Sequence, residues 1–186
     1  MVIVIDPQIA GVSGDMILCS LVDLGEDKNR IIDGIKQSEK FFLNSTIKKI
    51  DFQKTQKHGI HSVQLILEIK EDVHERKGSE IKKAITNSLQ SIGLSEKAKI
   101  FSESCINTLI SSESKIHGIS EDDVFFHEVS SIDTIVDIIG VAIALEDLEL
   151  FDEKILCLPI SVGGGNVSFS HGIMSNPSSA ILEIFK

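Results

Sequence analysis

The stretch Ile132-Asp-Thr-Ile-Val-Asp-Ile-Ile-Gly-Val-Ala-Ile-Ala-Leu145 is the most apolar segment of the chain. It predicts one buried helix, over residues 132–148, against which the other elements pack. Asp133 and Asp137 are the only charged residues between 132 and 145, and their spacing places both carboxylates on one helical face. Because buried charge must be compensated, we expect this face to border a pocket, where the carboxylates bind a metal ion or act in catalysis. Asp133 also suits the first turn of an ordinary helix.

The segments around this helix predict a mixture of strands and helices. Strands are expected at residues 2–5, 46–56, 60–69, 155–160 and 167–170, and helices after Gly14, after Asp27, and at 79–92, 95–116, 132–148 and 178–186. His58-Gly59 between two alternating segments indicates an antiparallel hairpin. The pattern therefore predicts a single α+β domain over residues 1–186, with a mixed β-sheet and a hairpin packed against several helices.

Composition narrows the classes of partner. The chain has 18 Lys and Arg against 28 Asp and Glu, a net charge of −10. This balance argues against nucleic acid or an anionic membrane as the main partner, and no apolar run of about 18 residues is present that would span a bilayer. Cys19, Cys105 and Cys157 form no disulfide framework, and their apolar neighbours predict that they lie in the core. We expect a reduced, cytoplasmic protein.

The charge is unevenly distributed along the chain. Residues 1–27 contain five acidic residues and residues 116–153 contain eleven, and neither stretch has a Lys or an Arg. Clustered carboxylates normally have lysines nearby. Their absence indicates either a solvated surface or a site where a metal ion supplies the positive charge, and composition alone leaves both open.

A small-residue turn, Gly11-Val-Ser-Gly-Asp15, joins the first strand to a helix. Gly11, Ser13 and Gly14 would let a ligand approach the backbone, and the N–H groups at a helix start suit a phosphate. The turn is neither a dinucleotide-binding fingerprint nor a P-loop. Asp15 in the first helical turn is also what the helix dipole favours, so a phosphate site and a simple capped turn remain equally open.

Two further motifs add candidate ligands. His127 and Glu128 place an imidazole and a carboxylate just before the apolar helix, and this donor set fits borderline or hard divalent ions better than a thiolate site does. After the strand at 155–160, the glycines Gly163, Gly164 and Gly165 can cradle a ligand, although such a run is more commonly an ordinary loop. His171, just beyond them, is a second candidate histidine.

Taken in this order, the three motifs resemble the LarC-type nickel insertion proteins over nearly the whole chain. The matching residues are Asp6, Gly11 and Ser13-Gly-Asp-Met16, then His127-Glu-Val129 and Asp133-Thr-Ile-Val-Asp-Ile-Ile-Gly140, then Leu158-Pro159, Gly163, Gly165 and His171-Gly172. The family's proline-rich stretch after His-Gly is reduced here to Pro177 and Ala180, and its later Thr-Pro-Thr-Gly segment is absent. The chain is therefore expected to be the N-terminal part of a longer or split protein.

The resemblance implies a nickel insertase. Such an enzyme inserts Ni²⁺ into pyridinium-3,5-bisthiocarboxylic acid mononucleotide to make the nickel-pincer cofactor of lactate racemase-type enzymes, with CTP bound by a C-terminal half and with Mn²⁺ or Mg²⁺ assisting. From the motifs, the candidate catalytic residues are His127 and Glu128. The candidate binding residues are Gly11, Ser13, Gly14, Gly163, Gly164 and Gly165, and the candidate metal ligands are Asp6, Asp15, His127, Asp133, Asp137 and His171.

Two other functions remain open at this point. The chain can be a non-catalytic metal-binding or assembly module for the half that binds CTP. A weaker alternative is a phosphate-handling hydrolase that uses Asp6 and Asp15 with a divalent ion.

Overall fold

A computed structural model describes residues 1–73, 75–126, 132–169 and 172–186. The fold is α+β, as the sequence predicts. The helices are α1 (Gly14–Leu24), α2 (Lys28–Ser38), α3 (Gly78–Ile92), α4 (Glu96–His117), α5 (Ile132–Asp147) and α6 (Ser179–Ile184). The strands are β1 (Val2–Ile5), β2 (Ser45–Lys57), β3 (Ile60–Glu71), β4 (Arg76–Lys77), β5 (Phe125–Phe126), β6 (Lys154–Cys157), β7 (Asn166–Phe169) and β8 (Gly172–Ser175).

Helix α5 forms the centre of the hydrophobic core. Eleven of its residues are buried, and α1, α2, α3 and α4 all pack against it. Two glycines permit close approach: a Cβ on Gly140 would lie 2.8 Å from Leu18 of α1, and a Cβ on Gly34 of α2 would lie 2.4 Å from Ile143. The apolar pattern of residues 132–148 therefore predicts this buried helix correctly.

The strands form separate pairs rather than one continuous sheet. Among the described residues, β1 pairs with β6 in parallel, whereas β2–β3, β4–β5 and β7–β8 are antiparallel. In the β2–β3 hairpin, His58 and Gly59 both adopt positive φ, as a two-residue hairpin turn requires. Parallel and antiparallel pairings thus coexist, and the predicted hairpin is confirmed.

Several local details differ from the sequence-based expectations. The sixth strand ends at Cys157 rather than at residue 160, and the short strands β4, β5 and β8 were not expected, because two to four residues carry no recognisable periodicity. Cys19 is buried, as expected, but Cys105 is only partly buried and Cys157 is exposed, as are the other three residues of β6. No helix within the described ranges is long and apolar enough to cross a membrane.

A polar cluster fixes the start of α5. The Glu71 carboxylate, at the end of β3, accepts hydrogen bonds from Ser45 Oγ at 2.9 Å and from the backbone N–H of Ile132 at 3.2 Å. A carboxylate at this position also interacts favourably with the helix dipole. Arg76 lies 3.7 Å from Glu71, is only 8% exposed, and donates a hydrogen bond to Leu43 O at 2.9 Å. The hairpin thereby holds the end of α5 that carries Asp133 and Asp137.

Glu26, between α1 and α2, is a second buried carboxyl group. It is 7% exposed, and its Oε1 has no hydrogen-bond partner among the described residues. Burial, followed by the nearby charges of Asp147 and Asp27, raises its pKa to about 7. Asp147 in turn lies 3.3 Å from Arg30. Glu26 is therefore held largely in its protonated form below neutral pH.

We expect Glu71→Ala to destabilise the fold by about 2–3 kcal/mol, because it removes a charged partner from buried Arg76 together with the hydrogen bond to Ile132. Chemical denaturation followed by circular dichroism measures this loss. Glu68→Ala is the matched control on the same strand, since Glu68 forms an exposed pair 3.9 Å from Lys49, and such pairs contribute about 0.5 kcal/mol or less. Equal stabilities of the two variants would contradict the role assigned to Glu71.

Glu26 should make the protein less stable as the pH rises. The folded chain keeps a proton up to about pH 7 that the unfolded chain releases near pH 4.5. The stabilising contribution is therefore complete below about pH 4.5 and is lost as the pH rises to 7. Glu26→Gln should abolish this slope and raise the stability at pH 8 by about 1–2 kcal/mol. Asp33→Asn, an exposed change on α2, should leave the pH profile as in the wild type, and an unchanged slope in Glu26→Gln would refute the assignment.

Candidate functional site

The loops that follow β1 and β6 meet at one end of the parallel pair. Parallel neighbours place their carboxyl ends at the same edge, and here Leu158 N–H donates to Ile5 O at 2.9 Å. Pro7 O then accepts from both Gly11 N–H and Ser161 N–H, each at 3.1 Å. Gly11 has φ +73°, and a Cβ there would lie 2.8 Å from Ser161 O. The first and third sequence motifs are therefore brought together, and glycine is required where they touch.

The second motif reaches the same region through Asp137. A Cβ on Gly14 would lie 2.4–2.5 Å from Cγ, Cβ and Oδ2 of Asp137. The absence of a side chain at the first residue of α1 therefore allows the Asp137 carboxylate of α5 to sit directly against the turn. This contact between Gly14 and Asp137 joins the first and second motifs.

Asp15 lies beside this contact at the start of α1. Its Oδ1 accepts a hydrogen bond from Met16 N–H at 2.9 Å and a second from the Ser13 hydroxyl. Ser13 occupies the N-cap position of α1, but its side chain accepts no hydrogen bond from the backbone of the helix. Instead, Ser13 and the helix start orient the Asp15 carboxylate, whose side chain is exposed to solvent.

The acidic groups here repel one another. Burial is the largest cause that raises the pKa of Asp137, to about 7, and the charges of Asp15 and Asp133 add to it. The pKa of the Cys19 thiol is raised as well, first by burial and further by Asp15 and Asp137. Among the described residues, Asp137 forms no ion pair with Lys or Arg. A cation at this point would therefore offset repulsion that the described side chains leave in place.

The two carboxylates of α5 differ in environment. Asp137 is half-buried, whereas Asp133 is exposed and accepts a hydrogen bond from Thr134 N–H at 2.7 Å. Asp137 is the carboxylate that lies against the turn at Gly14, while Asp133 contributes through its charge. Asp133 is therefore placed at the rim of the acidic group.

Among the cavities lined by described residues, Asp6 and Asp15 border different ones. Asp6 borders an apolar cavity of about 420 Å³, together with Gly11 and residues of α1 and α5, and accepts hydrogen bonds from Gln8 N and Nε2. Asp15 borders a groove of about 340 Å³ between α1 and the β2–β3 hairpin. The hydrolase alternative, which would use both carboxylates, stays a prediction.

The triple-glycine loop is held by Asn176. A Cβ on Gly163 would lie 2.7 Å from Asn176 Nδ2, and Asn176 N–H donates to Gly165 O at 2.8 Å. Gly163 and Gly165 have positive φ, while a Cβ on Gly164 would meet nothing within 4 Å. The loop geometry thus accounts for two of the glycines, and a ligand-binding role for Gly163, Gly164 and Gly165 stays a prediction.

Three predicted residues, His127, Glu128 and His171, lie outside the described residues. Within the part of the chain that the structure describes, no three His, Cys, Asp or Glu side chains lie close enough together to hold a metal ion. The full ligand set therefore stays a prediction. Of the proposed ligands, the structure brings Asp15 and Asp137 near each other. The positioning role of Glu71 was not expected, because a Glu at the end of an exposed, alternating strand carries no sequence signal of its own.

Comparison with known proteins gives a consistent result. The family model for nickel insertion proteins matches residues 3–186. A pyridinium-3,5-bisthiocarboxylic acid mononucleotide nickel insertion protein of Staphylococcus epidermidis is 39% identical over 95% of this chain and 42% of its own length. The protein of that name from Clostridium kluyveri is 36% identical, over 95% of this chain and 45% of its own.

A putative nickel insertion protein of Methanosphaera stadtmanae is 36% identical, over 100% of this chain and 46% of its own length. The chain thus spans less than half the length of these curated relatives. No solved structure matches.

Gly14→Ala should break the contact with Asp137. Because the clash includes Asp137 Cβ, which no side-chain rotation can move away, α1 and α5 must separate, and we expect a loss of about 1–3 kcal/mol in the free energy of unfolding. Gly164→Ala is the matched control, since nothing lies within 4 Å of its Cβ and its φ is not positive. Urea denaturation of both variants decides the point, and equal midpoints would show that the two helices do not meet at Gly14.

Proposed function

This chain belongs to the nickel insertion protein family, and from that premise we propose that it binds Ni²⁺ as a substrate and holds it for insertion into pyridinium-3,5-bisthiocarboxylic acid mononucleotide. The observation that supports this proposal is the contact of Asp137 with Gly14 beside Asp15. It joins two carboxylates from separate motifs, and no described Lys or Arg forms an ion pair with Asp137. A divalent cation supplies the charge that this arrangement lacks.

The insertion reaction needs a base as well as metal ligands. Forming two Ni–S bonds and one Ni–C bond displaces a proton from the ring carbon that becomes bonded to nickel. We propose His127 or Glu128 as the group that accepts this proton, because imidazole and carboxylate are the side chains that most commonly act as general bases. We also propose His127, Asp15, Asp137 and His171 as the nickel ligands, with Asp133 at the rim of this site. Asp6, which borders a different described cavity, is proposed as a more distant acidic group.

The remaining elements of the proposal concern the complete protein. Since the relatives are more than twice as long as this chain, we propose that a C-terminal half binds CTP with Mn²⁺ or Mg²⁺ and that both halves act together. The cofactor would then serve a lactate racemase-type apoenzyme in the cytoplasm, which suits the three free cysteines.

One observation favours a second function. Because the described residues contain no group of three metal-ligating side chains, the chain can instead be a non-catalytic assembly module that presents its acidic surface to the CTP-binding half. Nickel binding by the isolated chain separates the two functions.

We expect the isolated chain to bind one Ni²⁺ ion in isothermal titration calorimetry at pH 7.5. Asp137→Asn should weaken binding at least roughly tenfold, as should His127→Gln, with folds retained by circular dichroism. Binding should also fall below about pH 6.5, where an imidazole becomes protonated. Asp33→Asn, an exposed acidic residue on α2, serves as the control and should bind like the wild type.

Absence of nickel binding by the wild-type chain would favour the assembly module. Full affinity in His127→Gln together with a lowered melting temperature would mean that His127 is structural, and the histidine ligand would then be sought at His171.

A further inference from the structure

The parallel pair β1–β6 is an incomplete sheet. Among the described residues its two strands pair only with each other, so each strand has one open edge. A sheet normally needs three or more strands to be stable, and parallel sheets occur almost only with both faces covered. Here all four residues of β6 are exposed, and so are Val2 and Val4 of β1. The pair therefore lacks the neighbours that such strands normally have.

The space beside the pair is also unfilled. The apolar cavity of about 420 Å³ that Asp6 borders lies between the two strands and the helices α1, α4 and α5. Leu24 at the end of α1 and Ile155 of β6 line it, and both are exposed to solvent. Protein interiors contain few voids larger than a water molecule. A cavity of this size with exposed apolar walls is typical of an interaction surface.

The elements after Leu150 do not supply the missing cover. None of the described residues beyond Leu150 is buried, and they include β7, β8 and α6 as well as β6. Leu156, Ile173 and Leu182 are large apolar side chains in this part of the chain, and all three are exposed. The β1–β6 pair is therefore left for a partner to cover.

A second copy of this chain suits the surface poorly. A copy that pairs edge to edge with one strand leaves the cavity unfilled, whereas a copy that packs against the face leaves the open edges unpaired. Like charges also oppose self-association, because the chain has a net charge of −10 and its first 27 residues hold five acidic residues and no Lys or Arg. A larger partner that adds strands and also supplies covering helices meets both requirements.

We propose that the β1–β6 pair and the apolar cavity beside it form the docking surface for the C-terminal half of the nickel insertion protein. The relatives are more than twice as long as this chain, so that half has the size to add strands and to fill the cavity. The inference rests on the proposed function only for the existence of this half. Because the turn at Gly11 also borders the cavity, docking places the second half beside the candidate nickel site.

Cys157 is a native reporter for this surface. It lies in β6, its thiol is free and it is exposed. A docked chain that covers β6 should therefore slow the alkylation of Cys157 by iodoacetamide. Cys19 is buried and serves as the control for unfolding, because it should stay unreactive in every folded variant.

Two exposed apolar side chains give matched variants. Leu24 of α1 lines the cavity and is 61% exposed, whereas Ile100 of α4 does not line it and is 58% exposed. Each can be changed to Asp without burying a charge, so the folds should be retained. Val4→Asp, on β1 at the edge of the same cavity, is a second variant of the docking surface should Leu24→Asp fold poorly.

The test compares the 186-residue chain with a full-length protein in which this chain replaces the matching stretch of the Staphylococcus epidermidis relative. We expect Cys157 to react at least roughly tenfold more slowly in the full-length protein, measured by mass spectrometry of the alkylated peptide. Leu24→Asp in the full-length protein should restore the fast reaction. Ile100→Asp should leave Cys157 protected.

Equal reactivity of Cys157 in the two proteins would overturn the proposal, as would protection that survives both Leu24→Asp and Val4→Asp. Light scattering of the isolated chain should give a monomer, and a dimer that Leu24→Asp dissociates would assign the surface to a second copy instead. Nickel titration separates this inference from the proposed function, since Leu24→Asp should bind nickel like the wild type. Failure of the wild-type chain to bind nickel refutes the function and leaves the docking result standing.

Discussion

The burial of α5 on nearly every side is the constraint on which the rest of the structure depends. Its apolar residues contact α1, α2, α3 and α4, and Gly140 and Gly34 let neighbouring helices approach closely. A carboxylate within such a helix would be costly, so acidic residues can occur only near its ends. Asp133 and Asp137 lie in the first two turns, where the start of α1 arrives. The packing of the core and the position of the candidate site therefore have the same cause.

The strand pairing brings together segments that helix packing alone does not join. The turn at Gly11 and the loop at Ser161 are far apart in sequence, yet both hydrogen-bond to Pro7 O because β1 and β6 run in parallel. Glu71 of the hairpin then caps the first residue of α5, so the long β2–β3 ribbon helps to set the position of Asp137. Three distant segments thus determine where one carboxylate lies, which explains why the motifs are separated along the chain.

The sequence predicted most of what depends on local pattern. The hairpin turn at His58-Gly59 and the apolar period of α5 each act within a few residues, and the structure confirms them. Pairing partners and burial depend on distant contacts. For that reason the β4–β5 pairing, the exposure of Cys157 and the role of Glu71 were not foreseen. The four-residue spacing placed Asp133 and Asp137 on one face but could not show that Asp137 meets the start of α1.

A weakly compensated acidic site suits a metal that must be passed on. Carboxylates that repel one another attract a cation, but a few oxygen ligands without a closed cage hold it less tightly than a four-thiolate site holds zinc. Asp137 is half-buried, which would limit the water that competes for a bound ion, while Asp15 is exposed and would leave a path for entry. In the proposed site, exposure on one side and burial on the other would give the ion a direction, from solvent past Asp15 towards Asp137. A permanent structural metal would need the opposite arrangement, with all of its ligands enclosed.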